Sequence, residues 1–443
     1  MASAAEQLAA NFDLSTFRKA EDLKKRLWFT LFALLIFRLG TYLPIPGIDT
    51  EVMRSIANRQ STGILGIFDK FSGGALGRMT IFALGIMPYI SSSIIIQLLT
   101  AVSPQLEALK KEGESGRKKL NQYTRYGTVL LATIQSYGIA VALEALVEQP
   151  VTEPGMLFRF STVITLTGGT LFLMWLGEQI TQRGVGNGVS LLIFSGIVAG
   201  MPHAIASTLE LGRQGTLKPL IIFAVIVMLG LALTFIVFME RAQRRIFIQY
   251  PKRQVGMKVY GGQSSHLPMK LNTSGVIPPI FASSLLLLPV TVSNFGAASD
   301  PDSFLAKMGQ YIGHGQPIYY AFFIGLIVFF AFFYTAVVFN PTETADNLKK
   351  NGAIVPGYRP GRNTAEFLDY VLTRLTVLGV AYLSLICTVP EYFITKYSLP
   401  FYLGGTSLLI VVSVSIDTVA QIQAHLLAHQ YEGLIRKSRP KDK

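Results

Sequence analysis

Thr62 to Arg78 reads TGILGIFDKFSGGALGR, and Met79 to Leu99, directly after it, reads MTIFALGIMPYISSSIIIQLL. The first stretch is too short to cross a bilayer, which takes about 20 apolar residues. It also carries Asp69, Lys70 and Gly73-Gly74, which lipid solvates poorly. It is therefore expected to re-enter the membrane rather than span it. Interrupted backbone at membrane depth is tolerated only where it is buried in protein or lines a wet cavity. The pair of stretches thus points to a chain with an aqueous passage and a segment able to occupy it.

Outward from this pair the chain stays apolar. Of its 443 residues 50% are hydrophobic and 15% charged, whereas a soluble domain is about a quarter charged. This composition fits one integral multi-span bundle rather than several soluble domains. Ten spans are expected: Leu27 to Leu43, Met79 to Leu99, Tyr123 to Leu146, Phe160 to Ile180, Val189 to Ala206, Leu220 to Met239, Val276 to Val292, Pro317 to Phe339, Val371 to Val389 and Phe401 to Leu427. Residues 1–26 have charges where a signal peptide needs its apolar core and read as a retained cytosolic arm. The ten spans divide as five plus five, a half over 27–206 and a half over 207–427, followed by a basic tail over 428–443.

Charge sets the orientation. With the N-terminus inside, the arm, the tail and the inner loops hold 27 of the 39 Lys and Arg, and the outer loops hold nine. That threefold bias follows the positive-inside rule and supports an even number of spans. Two inner connections, residues 240–275 and 340–370, are long for a helical bundle. The first reads as a short hairpin around Ile246 to Tyr250. The second opens with the helix-starting Pro341-Thr342-Glu343 and ends in a Pro/Gly-punctuated turn with Arg359 and Arg362. Both read as protrusions for docking.

Enzyme chemistry finds little support. No phosphate loop with the required spacing is present: Gly113 to Lys119 lacks the terminal hydroxyl, and no strand precedes Gly184 to Gly188. No metal-binding motif occurs, the five histidines are scattered, and the lone Cys387 allows no intramolecular disulfide, so neither metal nor cofactor is expected. Ion-coupled transport needs ionisable groups within the spans. Arg38, Arg374 and Asp417, with Glu144 and Glu178 near span ends, are a thin supply, and the two arginines read equally well as structural. The second span is rich in Ser91, Ser92, Ser93 and Gln97, and the seventh has Asn272-Thr273-Ser274 and Ser283-Ser284. Small hydroxyl side chains let helices approach closely. They suit ordinary packing and a seam that can part. Asn272-Thr273-Ser274 also matches a glycosylation sequon, but it falls on the inner side.

The strings FRLGTYLPIPGID, FSGGALGRMTIFALGIMPYIS, SIIIQLLT, KKEGESGRKKLNQYTRYGT, LMWLGEQITQRGVGNG, NPTETADNLKKNGA and PFYLGGTSLLIVV resemble the SecY family, the channel subunits of the Sec protein translocase. The similarity runs from about Leu27 to Val412. It implies an all-α polytopic fold with ten transmembrane helices in two pseudo-symmetric halves around an hourglass pore, closed by a re-entrant plug. On this resemblance Ile86, Ile90, Val189, Ile193, Ile280 and Ile410 would form the pore ring. Residues 62–78 would be the plug, with Ile64, Phe68, Phe71, Gly73 and Gly74. The lateral gate would lie between the second and seventh spans, at Ser91, Ser92, Gln97, Ser274 and Ser283. Arg244, Arg245, Arg253, Lys258, Lys349, Lys350, Arg359 and Arg362 would meet a motor or a ribosome. The family basic pair at the hairpin tip is Met257-Lys258 here, which weakens the assignment at Met257.

The implied activity is passage of unfolded secretory proteins across, and lateral release of membrane segments into, a bacterial plasma membrane with both termini cytoplasmic. The implied partners are SecE, SecG, the SecA motor ATPase, the ribosome, signal peptides, unfolded preproteins and anionic lipids. A secondary transporter for a small solute and a polytopic membrane enzyme are the alternatives from other classes.

Overall fold

The computed structural model describes residues 20–59, 69, 72–144, 150–215, 219–250, 253–255, 258–260, 264–286, 316–397 and 404–438. The helices are α1 (Glu21–Gly40), α2 (Thr50–Arg59), α3 (Met87–Val102), α4 (Pro104–Lys111), α5 (Glu114–Glu144), α6 (Met156–Arg183), α7 (Gly188–Arg213) and α8 (Pro219–Arg241). Strands β1 (Gln243–Gln249), β2 (Arg253–Val255), β3 (Lys258–Tyr260) and β4 (Ser264–Lys270) follow. Then come α9 (Ile277–Leu286), α10 (Pro317–Val338), α11 (Pro341–Lys350), α12 (Arg362–Tyr397) and α13 (Gly405–Ser438). Among the described residues seven helices are long and apolar enough to cross a membrane, eight if the pair α3 and α4, bent by 100°, is counted as one span. They stand where the second to sixth and eighth to tenth spans were expected. α1 covers the first, and α9 is a shorter apolar helix at the start of the seventh. The described residues up to Ala206, with those from Ile410 on, form one compact unit; those between Ser207 and Leu409 form a second.

Within the first unit, packing runs through small residues. The buried side of α5 presents Gly116, Thr124, Thr128, Ala132, Ser136, Gly138 and Ala140, and that of α6 presents Thr162, Gly169, Thr170 and Gly177. With no hydrophobic drive between helices in lipid, close backbone approach is what holds such pairs together. Both ends of the pair are tied by charge. Arg125 donates to both carboxylate oxygens of Glu178 at 3.0 and 2.6 Å, and Arg159 reaches Glu144 at 2.6 Å. Two of the three acids that were candidates for ion coupling, Glu144 and Glu178, are therefore already neutralised by arginine. An apolar stripe on α1, Trp28, Leu31, Phe32, Leu35 and Leu39, is exposed, while Thr30, Ala33, Phe37 and Gly40 turn inward.

The second expected span needs one correction: its helix begins at Met87, not Met79. Residues 79–86 are turns. Met79 has φ 43° and Gly85 φ 56°, left-handed backbone that does not propagate a helix, and Pro88 sits in the first turn of α3. Ile45 N donates to Met79 O at 3.0 Å and Ile81 N to Leu43 O at 3.0 Å, so this segment bonds to the chain after α1. α6 presses on it: a Cβ on Gly169 would stand 2.0 Å from the Ile81 carbonyl oxygen.

Because that neighbour is backbone and cannot swing aside, Gly169→Ala is expected to lower stability by about 1–3 kcal/mol. Gly168→Ala, with nothing within 4 Å of its Cβ, should instead gain from helix propensity. Thermal unfolding of the two variants in detergent is the measurement. Equal midpoints would show that α6 does not abut residues 79–86.

In the second unit, β1 and β4 form a two-stranded antiparallel ladder with Ile246 opposite Leu267, and β2 pairs with β3. The expected hairpin is there, with strands of seven residues. Ile246, Ile248 and Met269 alternate onto a buried face. Ile246 and Met269 pack with Ala345 of α11, with Val355, and with Ala365, Leu368, Leu372 and Leu375 of α12. Gln249 and Ile354 exchange two backbone hydrogen bonds at 2.9 Å. The two long connections thus fold onto each other as one body.

Candidate functional site

The glycine-rich stretch is described at residue 69 and from residue 72 on; Ile64, Phe68 and Phe71 lie outside the described residues. Its C-terminal part is knotted by local hydrogen bonds. The Asp69 carbonyl accepts from Gly74 N at 2.7 Å and Ser72 Oγ at 2.9 Å, and the Asp69 carboxylate accepts from Gly77 N. Gly73 and Gly74 both have left-handed φ, 72° and 81°. Gly73 also lies against Gly196 of α7: a Cβ would stand 3.2 Å from the Gly196 Cα and 3.2 Å from Arg38 Nη1. Only glycine lets an arginine reach the carbonyl from that side.

Arg38, read from sequence as structural or functional, is placed by this contact. Its Nη1 donates to Gly73 O at 2.8 Å and its Nη2 to the Tyr42 hydroxyl at 2.9 Å. Arg78 joins it, with Nη2 on Gly73 O at 2.9 Å and Nε on Gly74 O at 2.8 Å. Both guanidiniums lie over the Tyr42 ring, at 4.9 and 4.2 Å from its centre. Arg78 was not singled out in the sequence; an arginine closing a glycine run is the signal that could have found it.

The six aliphatic residues occupy comparable places in their own elements. Ile86 precedes α3 as its cap and Ile90 is on the first turn. Val189 and Ile193 start α7, Ile280 starts α9, and Ile410 is in the second turn of α13. Ile86, Ile90, Ile193 and Ile410 are buried; Val189 and Ile280 are partly so.

The seam residues are distributed differently. Ser92 is fully buried and donates to the Thr124 carbonyl of α5 at 2.8 Å, facing Gly127, so its hydroxyl is committed inside the first unit. Ser91 is buried beside it, and Gln97 Nε2 bonds Ser93 at 3.3 Å. In the second unit Ser274 Oγ donates to Asn272 Oδ1 at 3.1 Å, and Ser283 and Ser284 both donate to the Ile280 carbonyl, at 2.9 and 2.8 Å. Asn272 is buried and donates to Glu240 at 2.7 Å, which leaves no room for a glycan on the sequon.

On the hairpin body, Arg244 and Arg245 are exposed on opposite faces of β1. Arg253 and Lys258 stand on β2 and β3, with side chains outside the described residues. Asn340 caps α11 by accepting from Thr342 N and Glu343 N, and Lys349 and Lys350 close its last turn, exposed and suited to the helix dipole. Arg359 is carried on a turn between Gly357 (φ 89°) and Gly361 (φ 104°). The Arg359 carbonyl accepts from Thr364 Oγ1 at 2.9 Å, and Tyr358 stacks on Phe367 at 4.2 Å, so the turn is rigid while the guanidinium is exposed. Arg362 is paired with Glu366 at 2.9 Å and borders an open groove of about 490 Å³ along α11 and α12.

Sequence reading also passed over Glu391. It follows Pro390 inside α12, is 6% exposed, and is hydrogen-bonded to the Tyr319 hydroxyl of α10. Arg374 lies over the Tyr370 ring at 5.0 Å. Among the described residues no group of His, Cys, Asp and Glu is arranged to hold a metal ion.

Comparison with known proteins adds to this geometry. The SecY family model matches residues 80–419. The protein translocase subunit SecY of Rickettsia typhi is 54% identical over 428 residues, 96% of this chain and 98% of that one. The SecY of Escherichia coli K12 is 53% identical over 419 residues, 94% of this chain and 95% of that one. Among solved structures, one described as a protein conducting channel aligns with a TM-score of 0.68 at 17% identity, over 95% of each chain. A second, concerned with the plug domain of SecY stabilising the closed channel, aligns at 0.66 with 17% identity over 95% of each chain. Sec61 in a canine ribosome-channel complex aligns at 0.65, again 17% identical over 95% of each chain.

Proposed function

From the premise that this chain belongs to the SecY family, we infer that it is the central subunit of a protein-conducting channel, a multi-pass membrane protein. It passes unfolded secretory proteins across the membrane and releases apolar segments sideways. The observation that carries the reading is the turn backbone of residues 72–86, left-handed at Gly73, Gly74, Met79 and Gly85 and packed against α6 and α7. Irregular backbone at membrane depth belongs to a wall or a stopper of a cavity, not to a lipid-facing span.

In this reading Ile86, Ile90, Val189, Ile193, Ile280 and Ile410 form the constriction. A narrow aliphatic ring holds back ions by dewetting and offers a passing polypeptide no charge to stick to. Residues 62–78 stop the ring, with Gly73 held by Arg38 and Arg78. The halves 27–206 and 207–427 part along the second and seventh spans, at Ser91, Gln97, Ser274 and Ser283. Ser92, turned onto α5, would serve that seam by packing rather than by bonding across it. Sorting at the seam needs no catalytic group. Ten apolar residues favour lipid by roughly 3 to 6 kcal/mol, and one or two charges, at about 2.5 to 3.5 kcal/mol each, cancel that.

The driving force comes from outside, from a SecA-type ATPase or the translating ribosome. Either would meet the body built from residues 240–275 and 340–370. Its rigidity supports this: β1, α11 and α12 share one core. SecE and SecG are the expected companion subunits, and anionic lipids meet the basic arm and tail in a bacterial plasma membrane with both termini cytoplasmic.

A stalled secretory precursor carrying a photocrosslinker tests the channel. Crosslinks to Ile86 and Ile280 are expected along the precursor's translocating segment. Their absence, together with saturable uptake of a small solute, would replace the channel with a transporter.

A further inference from the structure

Two guanidinium groups meet at the C-terminal end of α1 on one carbonyl oxygen. Arg38 and Arg78 donate to the same oxygen, Gly73 O, at 2.8 and 2.9 Å. Neither forms an ion pair among the described residues. Arg125 of α5 and Arg159 of α6 behave differently: each holds a carboxylate at 2.6 Å. A like-charged pair held together on neutral acceptors is a preformed site for an anion.

The pair also has donors to give. A guanidinium carries five N–H groups. Arg78 uses Nε and Nη2 on the two glycine carbonyls and also bonds the Tyr42 hydroxyl. Arg38 uses Nη1 and Nη2 on Gly73, Thr41 and Tyr42, and its Nε makes none.

The surroundings say what kind of anion would arrive. Tyr42, beneath both arginines, is 57% exposed, and Leu35, Leu39 and Leu43 beside it are 55%, 62% and 56% exposed. They continue the apolar stripe of α1 up to the two arginines. A ligand that fits has an anionic head and an apolar tail. We propose that Arg38 and Arg78 bind the phosphate of a phospholipid headgroup, with its acyl chains along Leu35, Leu39 and Leu43. The site lies at the opposite end of the first span from the basic arm, apart from the lipid contact proposed above. It rests on the chain spanning the membrane, not on its conducting protein, so loss of either reading leaves the other standing.

The full-length chain in detergent is titrated with dioleoylphosphatidylglycerol and, separately, with inorganic phosphate, and bound mass is counted by native mass spectrometry. Wild type is expected to retain one phospholipid that the double variant Arg38→Gln, Arg78→Gln holds about tenfold more weakly. Arg125→Gln should retain it as wild type does. A photoreactive p-benzoylphenylalanine at position 42, in phosphatidylglycerol nanodiscs, is expected to crosslink to lipid, and this measurement alters neither arginine. Equal retention by the double variant, or no lipid crosslink at position 42, overturns the site. Occupation by inorganic phosphate that phosphatidylglycerol does not displace assigns the arginines to a free anion and overturns the headgroup.

Discussion

Glycine at Ile86, Ile90, Ile193 and Ile280 together is expected to raise the resting ion conductance of the reconstituted channel by about tenfold or more. An ion crossing a narrow apolar ring has to enter a space that water leaves readily. Removing four branched side chains widens that space and lowers the barrier, and every 1.4 kcal/mol of barrier is tenfold in rate. Each substitution also has a folding cost, because Ile86, Ile90 and Ile193 are buried and glycine weakens a helix by about 1 kcal/mol relative to alanine. Conductance across planar bilayers is therefore compared with that of a second quadruple variant, changed to glycine at Ile94, Leu166, Leu173 and Leu192, buried side chains of the first unit. A leak confined to the ring variant supports the constriction. Parental conductance in the ring variant, with assembly intact, would remove these four residues from it.

Arg359→Glu should reduce precursor export by about tenfold or more while leaving the chain assembled in the membrane. The turn that carries Arg359 is set by Gly357, Gly361, the Thr364 bond to its carbonyl and the Tyr358–Phe367 stack, none of which uses the guanidinium. Exposed substitutions of that kind change stability by about 0.5 kcal/mol or less, so a large loss of export must come from a partner. Charge reversal replaces attraction to an acidic or phosphate surface with repulsion, and the defect should vary with ionic strength. Arg362→Glu makes a graded comparison, because Arg362 is already paired with Glu366. Its loss should be smaller. Normal export by Arg359→Glu would take that residue off the docking surface, and equal defects at both positions would mean that bulk charge matters more than the rigid turn.

Much of the fold was legible because lipid imposes length and composition on whatever crosses it. Residues 114–144, 156–183 and 317–338 became helices near the expected positions, though several run past the apolar window, as α5 does from Glu114 and α12 from Arg362. Hydropathy marks where a helix meets lipid and is silent about where it stops in water. Residues 79–86 were misread as helix for a related reason. Their apolar side chains are indistinguishable from those of a span, and the deciding groups are the backbone at Met79 and Gly85 and the partners Leu43 and Ile45, brought near only by folding.

The candidate site divides along the same line. Aliphatic residues at the starts of α3, α7, α9 and α13, and exposed basic residues around Arg359, could be named from motifs. The partners of Arg38, Arg125 and Glu391 could not, because a long side chain reaches across 35 or 53 positions of sequence, or into another helix, as easily as to its neighbour.

By itself the sequence determined that this is a multi-span membrane protein with a broken glycine-rich segment and two long basic connections, since burial in lipid is decided by composition over stretches of about 20 residues. Only the tertiary structure decided that Gly73 is held by two arginines, that Ser92 faces α5, and that the hairpin, α11 and α12 share one core. Hydrogen bonds and close packing act over about 3 to 4 Å, a range at which only the folded chain specifies who meets whom.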